Sequence, residues 1–80
     1  MSTKLNTAAD LAFMGFIPLR RGADVLVISH LLCEGTCIVG DGVQGLQQAH
    51  NWLCQTVDRE KQGWDEAIAQ SRDYLAEVCR

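Results

Sequence analysis

Asp24-Val25-Leu26-Val27-Ile28-Ser29-His30-Leu31-Leu32, followed by Cys33-Glu34-Gly35-Thr36 and Cys37-Ile38-Val39-Gly40-Asp41-Gly42, is the stretch that decides the fold. Val25, Leu26, Val27 and Ile28 are an unbroken β-branched and aliphatic run, side chains that suit a pleated surface better than a helix. A short turn of small and polar residues follows, and a second apolar run returns behind it. Two such runs around a glycine-bearing loop read as an antiparallel hairpin. Residues 24–32 are the long strand, residues 37–39 the short one, and Gly40-Asp41-Gly42 ends it.

Upstream, Phe16-Ile17-Pro18-Leu19 reads as extended. Proline removes a ladder donor, so a strand here sits at a sheet edge and makes the sheet three-stranded if it joins the hairpin. Arg20-Arg21-Gly22-Ala23-Asp24 supplies the turn, with Gly22 free to take a positive φ. Thr7-Ala8-Ala9-Asp10 matches a capping pattern with Thr7 as N-cap. It opens a short helix to about Met14, with Leu11 and Met14 on one face. Asp10 favours the positive end of its dipole, and Gly15 ends it.

Downstream, the apolar period changes from two to about 3.6. Leu46, Ala49, His50, Leu53, Cys54 and Val57 share one face of a helix over residues 43–61, with Asp41 as its N-cap. Gly63 interrupts the pattern. A second amphipathic helix runs over residues 64–79 with Ala67, Ile68, Ser71, Leu75 and Val78 inward. Asp65 and Glu66 complement its N-terminus and Arg80 its C-terminus. The expected architecture is α+β over a single domain, residues 1–80: a short N-terminal helix, a two- or three-stranded antiparallel sheet, and two C-terminal amphipathic helices packed on one face.

Ten acidic against seven basic residues leave a net charge of −3. Proteins that grip phosphate backbones carry a dominant basic patch, and here the only adjacent basic pair is Arg20-Arg21; direct nucleic-acid binding is not expected. The opening Met1-Ser2-Thr3-Lys4-Leu5-Asn6 lacks the basic and long apolar regions of a signal peptide. No apolar stretch approaches the ~20 residues that span a bilayer. A cytoplasmic location follows, with the four cysteines reduced.

Cys33 and Cys37 are the most conspicuous candidates for chemistry. Across a three-residue hairpin loop they would face each other on neighbouring strands. With His30, His50 or Cys54 they offer soft ligands for zinc, but the three-residue gap and the lack of a second paired set argue for plain thiols. A Cys33–His50 nucleophile pair would need a deep cleft, which an 80-residue domain rarely forms. Gly40-Asp41-Gly42-Val43-Gln44-Gly45 is neither a dinucleotide fingerprint nor a P-loop, and no lysine follows. No catalytic residue, metal site or cofactor is expected, and the chain reads as a non-enzyme.

Tryptophan, tyrosine and arginine are the residue types most often found as interface anchors. Trp52, Trp64 and Tyr74, with Arg20 and Arg21 at the tip of the sheet edge, are the expected partner-binding residues. The mildly acidic, motif-free layout, with residues 24–39 as hairpin and residues 43–79 as paired helices, resembles small phage-encoded inhibitors of host machinery such as the anti-CRISPR proteins. The likeness spans the whole layout and rests on no motif, so it carries over no functional residue. It implies a stoichiometric inhibitor or adaptor that blocks a surface of a larger bacterial complex. Self-association into a homodimer is also open, since small domains gain core that way. The alternative is a metal-binding or thiol-redox protein built on Cys33 and Cys37.

Overall fold

A computed structural model describes residues 7–79. Its elements run α1 (Thr7–Phe13), β1 (Ile17–Arg20), β2 (Val25–Ser29), β3 (Cys37–Gly40), α2 (Val43–Thr56) and α3 (Trp64–Val78). The architecture is α+β, and Ile17–Arg20 does join the sheet, making it three-stranded with order β1-β2-β3.

Both strand pairs are antiparallel, with Leu19 opposite Val27 and Val27 opposite Ile38. Arg21 N–H donates to the Val25 carbonyl at 2.9 Å, so the odd-numbered residues of β2 turn their polar groups toward β1. By alternation Pro18 points its missing donor outward, along the free edge. That is why the strand tolerates it.

The core lies between the sheet and the helices. Leu26, Ile28 and Val39 project from one sheet face onto Leu46, Ala49 and Leu53 of α2, and Leu11, Met14 and Phe16 close the end beside α1. All of these side chains are buried. Helix α3 packs on α2 and is only half-buried along Ala67, Ile68, Leu75 and Val78, with Ser71 its one fully buried residue. Gly15 ends α1 at φ 102°, a left-handed conformation that favours glycine.

Several local expectations are corrected. Thr7 lies within α1 and does not act as its N-cap; its hydroxyl accepts the Gly42 N–H at 2.8 Å and so ties α1 to the start of α2. Gly42, at φ 101°, takes the capping position expected of Asp41, with no side-chain cap. Asp41 instead faces Arg20 at 3.6 Å. Gly22 does not take a positive φ; Arg20 Nη1 holds this turn by donating to the Gly22 and Ala23 carbonyls.

Helix α2 stops at Thr56, short of residue 61. Val57 turns extended and bridges Cys33, and Asp58 N–H donates to the Leu32 carbonyl at 2.8 Å. The added strand-like pairing overrides the helical period while Val57 stays buried. Cys33 therefore does not oppose Cys37, whose cross-strand neighbour is Ile28. The contribution expected of Arg80 falls outside the described residues.

Candidate docking face

Alternation along the strands sorts the sheet into two unlike faces. Leu26, Ile28 and Val39 go inward. Ile17, Leu19, Val25, Val27, Ser29 and Ile38 go outward. Within the strands the outward set contains no charged residue, and Arg21, paired with Val25 just beyond β1, lies at its rim. Ile17, Leu19, Val25 and Ile38 are 54%, 55%, 40% and 70% exposed. Leu19, Val27 and Ile38 stand opposite one another and form an apolar row across all three strands. An antiparallel sheet covered on one side ordinarily shows water a polar face. This one shows water branched aliphatics.

The residues expected to bind a partner are placed differently, and the structure does not gather them into one patch. Trp52 is half-buried and packs on Phe16 with ring centroids 6.2 Å apart. Tyr74 stacks on Phe13 and donates its hydroxyl to Asp10, which also keeps the phenol proton on above its ordinary range. Trp64 is half-buried at the start of α3, with the Arg59 guanidinium 4.7 Å above its ring. Arg20 is exposed but engaged with its own turn and with Asp41; the Thr7 hydroxyl, and then Arg20, hold Asp41 below the usual carboxylate range. Arg21 is exposed beside Val25, at the rim of the outward face.

Among the groups capable of chemistry, His50 meets Cys54 and Ser71, but they do not build a metal-binding set. No three histidine, cysteine or acidic side chains converge to hold a metal among the described residues. Cys33, Cys37 and Cys54 are half-buried thiols and Cys79 is an exposed one, with burial pushing the Cys37 thiol up. No cavity opens among these residues. None of their helices is long and apolar enough to cross a membrane.

Both histidines belong to the packing. His30 is buried, packs edge-on to Phe16 and accepts the Leu32 N–H on Nδ1 at 3.0 Å. An imidazole that accepts there is neutral and carries its proton on Nε2. His50 pins α2 to α3, with Nδ1 2.7 Å from the buried Ser71 hydroxyl and Nε2 3.5 Å from Cys54 Sγ. Burial lowers the pKa of both rings, and the charge of Arg72 lowers that of His50 further.

The folded chain thus resists protons that the unfolded chain accepts. Their contribution to stability is complete above the ordinary imidazole value of 6.5 and is lost as pH falls below it toward the lower folded values. A urea midpoint lower at about pH 5.5 than at about pH 7.5 is expected. Equal midpoints would count against neutral imidazoles in the folded state.

Comparison of the chain with protein-family models, with curated proteins and with solved structures gives no match. The class rests on the fold and on the outward face: a small α+β domain with one face of its sheet left open.

Composition drew attention to the large aromatics and passed over this face. A signal was present. Val25 to Ile28 is continuous, not alternating, and a continuous apolar run marks a strand meant to be covered on both sides.

Proposed function

We propose that the protein is a non-enzymatic protein-binding module, an inhibitor or adaptor that lays the outer face of its sheet on an apolar surface of a larger bacterial complex. The observation that carries this reading is the uncharged aliphatic row in which Leu19 and Ile38 stand exposed on either side of a half-buried Val27, on a chain of net charge −3. Contiguous exposed apolar patches on small domains mark interaction sites. The resemblance to small phage-encoded inhibitors, read from the sequence layout and resting on no motif, points to the same class. Arg21 at the rim adds a residue type enriched where interfaces form.

Affinity capture from a bacterial lysate tests the reading, using the native chain, a Leu19→Asp/Ile38→Asp chain and a Trp64→Ala chain. A discrete partner should be held by the native and Trp64→Ala chains and lost from the doubly charged one. A partner that survives both aspartates but is lost with Trp64 or with Arg20 and Arg21 would move the site to those residues.

A further inference from the structure

We infer that Cys54 is a site of reversible mixed-disulfide formation, a partly exposed thiol that exchanges with small-molecule disulfides and is served by His50 as its base. The site lies on α2, in the helical layer behind the sheet, and stands whether or not the outer sheet face binds a partner.

Position is the first argument. His50 meets the thiol four residues on, one helical turn along the same face of α2. Cys54 Sγ lies 3.5 Å from Nε2, and Nδ1 lies 2.7 Å from the hydroxyl of Ser71, which is fully buried in α3. The ring is thus held at both nitrogens, between a nucleophile and an orienting hydroxyl. A hydroxyl both accepts and donates, so Ser71 accommodates a proton on Nδ1 and leaves the Nε2 lone pair facing the thiol.

Proton transfer is the second. The attacking species in disulfide exchange is the thiolate, so a neighbouring base speeds the step. Burial, and then the charge of Arg72, keep the His50 ring neutral and able to take a proton. The proton passes from Sγ to Nε2 as the Cys54 sulfur attacks one sulfur of the disulfide. The old S–S bond breaks, and the leaving thiolate takes the proton back from Nε2. Cys54 ends as a mixed disulfide, and the small disulfide yields one free thiol. Excess thiol reverses the exchange.

Contrast with the other thiols is the third. Cys33 and Cys37 are half-buried too, and the Cys37 S–H donates to the Ile38 carbonyl at 3.7 Å. Cys79 is exposed just past α3. Among the described residues Cys54 alone has an imidazole nitrogen within bonding distance of its sulfur. No cavity is required, because a small disulfide reaches a partly exposed sulfur from solvent.

Incubation of the native chain with oxidised glutathione, followed by acid quench, digestion and mass mapping, reads the rate at each cysteine separately. Cys54 should take up glutathione before Cys33 and Cys37, and at least as fast as the more exposed Cys79. Excess reduced glutathione should remove the adduct. A His50→Gln chain should slow Cys54 at least about tenfold and leave Cys79 unchanged as an internal control. From about pH 8 to about pH 7 an ordinary thiol slows nearly tenfold. Cys54 of the native chain should slow less than about threefold, and His50→Gln should restore the ordinary slope. If His50→Gln fails to fold, the ranking of the four cysteines and the pH slope in the native chain decide. A native Cys54 slower than any of the other three would overturn the inference. So would a rate and slope that survive His50→Gln in a chain with a native circular dichroism spectrum.

Discussion

A Gly45→Ala chain is expected to lose its fold, although alanine is the better helix former by about 1 kcal/mol. Gly45 lies in the first turns of α2, where the helix meets β3. A Cβ there would sit 1.8 Å from the Gly40 carbonyl oxygen and 2.8 Å from its carbon. Both are backbone atoms of a strand held by its ladder, so no flexible side chain can yield. Relief requires α2 to lift from the sheet, which opens the packing of Leu46, Ala49 and Leu53 on Leu26, Ile28 and Val39. Small domains hold only about 0.05–0.15 kcal/mol per residue, so such a separation exhausts most of the stability. Thermal melting followed by circular dichroism should show no cooperative transition near the native one. A Gly45→Ala chain that melts like the native would mean that helix and strand do not approach so closely.

The second large effect is expected from Leu46→Ala, a loss of about 2–5 kcal/mol. Leu46 is fully buried in the core between the sheet and the helices, so truncation removes its packing and leaves a cavity there. On an 80-residue chain this is a large share of the total. The matched control is Ile38→Ala in β3. It removes a similar amount of aliphatic surface from a side chain that is already 70% exposed. Its loss should stay below about 1 kcal/mol. Urea unfolding of both chains checks the contrast, and near-equal losses would mean that the two sides of the sheet have been assigned wrongly.

The parts of the fold legible in the sequence are those fixed by short-range chemistry. The central strand, the edge strand around Pro18, the stop at Gly15 and the two amphipathic helices each follow from backbone preference or periodicity. The central strand, read over residues 24–32, is found over Val25–Ser29 because residues 30–32 turn away to meet Val57 and Asp58. What escaped was set by contacts between distant segments. Thr7 reaches Gly42 across 35 positions, so its hydroxyl serves a turn far away and not its own helix. Val57 keeps the helical apolar period but leaves α2 because Cys33 and Leu32 offer it and Asp58 a strand-like bridge.

The site divides in the same way. Residue type points to Trp52, Trp64 and Tyr74 as anchors, but a small core uses large aromatics internally, as Trp52 on Phe16 and Tyr74 on Phe13 and Asp10 show. The outward row could be found only by combining the parity of β1, β2 and β3. Register is a property of pairing, and no single strand reveals it.

Urea unfolding of a Leu19→Thr/Ile38→Thr chain at low micromolar concentration bears most directly on the open face of the sheet. Threonine is β-branched like Ile38 and suits a strand at position 19 as well, and it removes apolar surface, so the strand preference is kept at both positions. If nothing within the chain covers that face, the unfolding free energy should remain within about 1 kcal/mol of the native value. A loss of about 3 kcal/mol or more would mean that these side chains are part of the buried core, and that the sheet has no free face to offer.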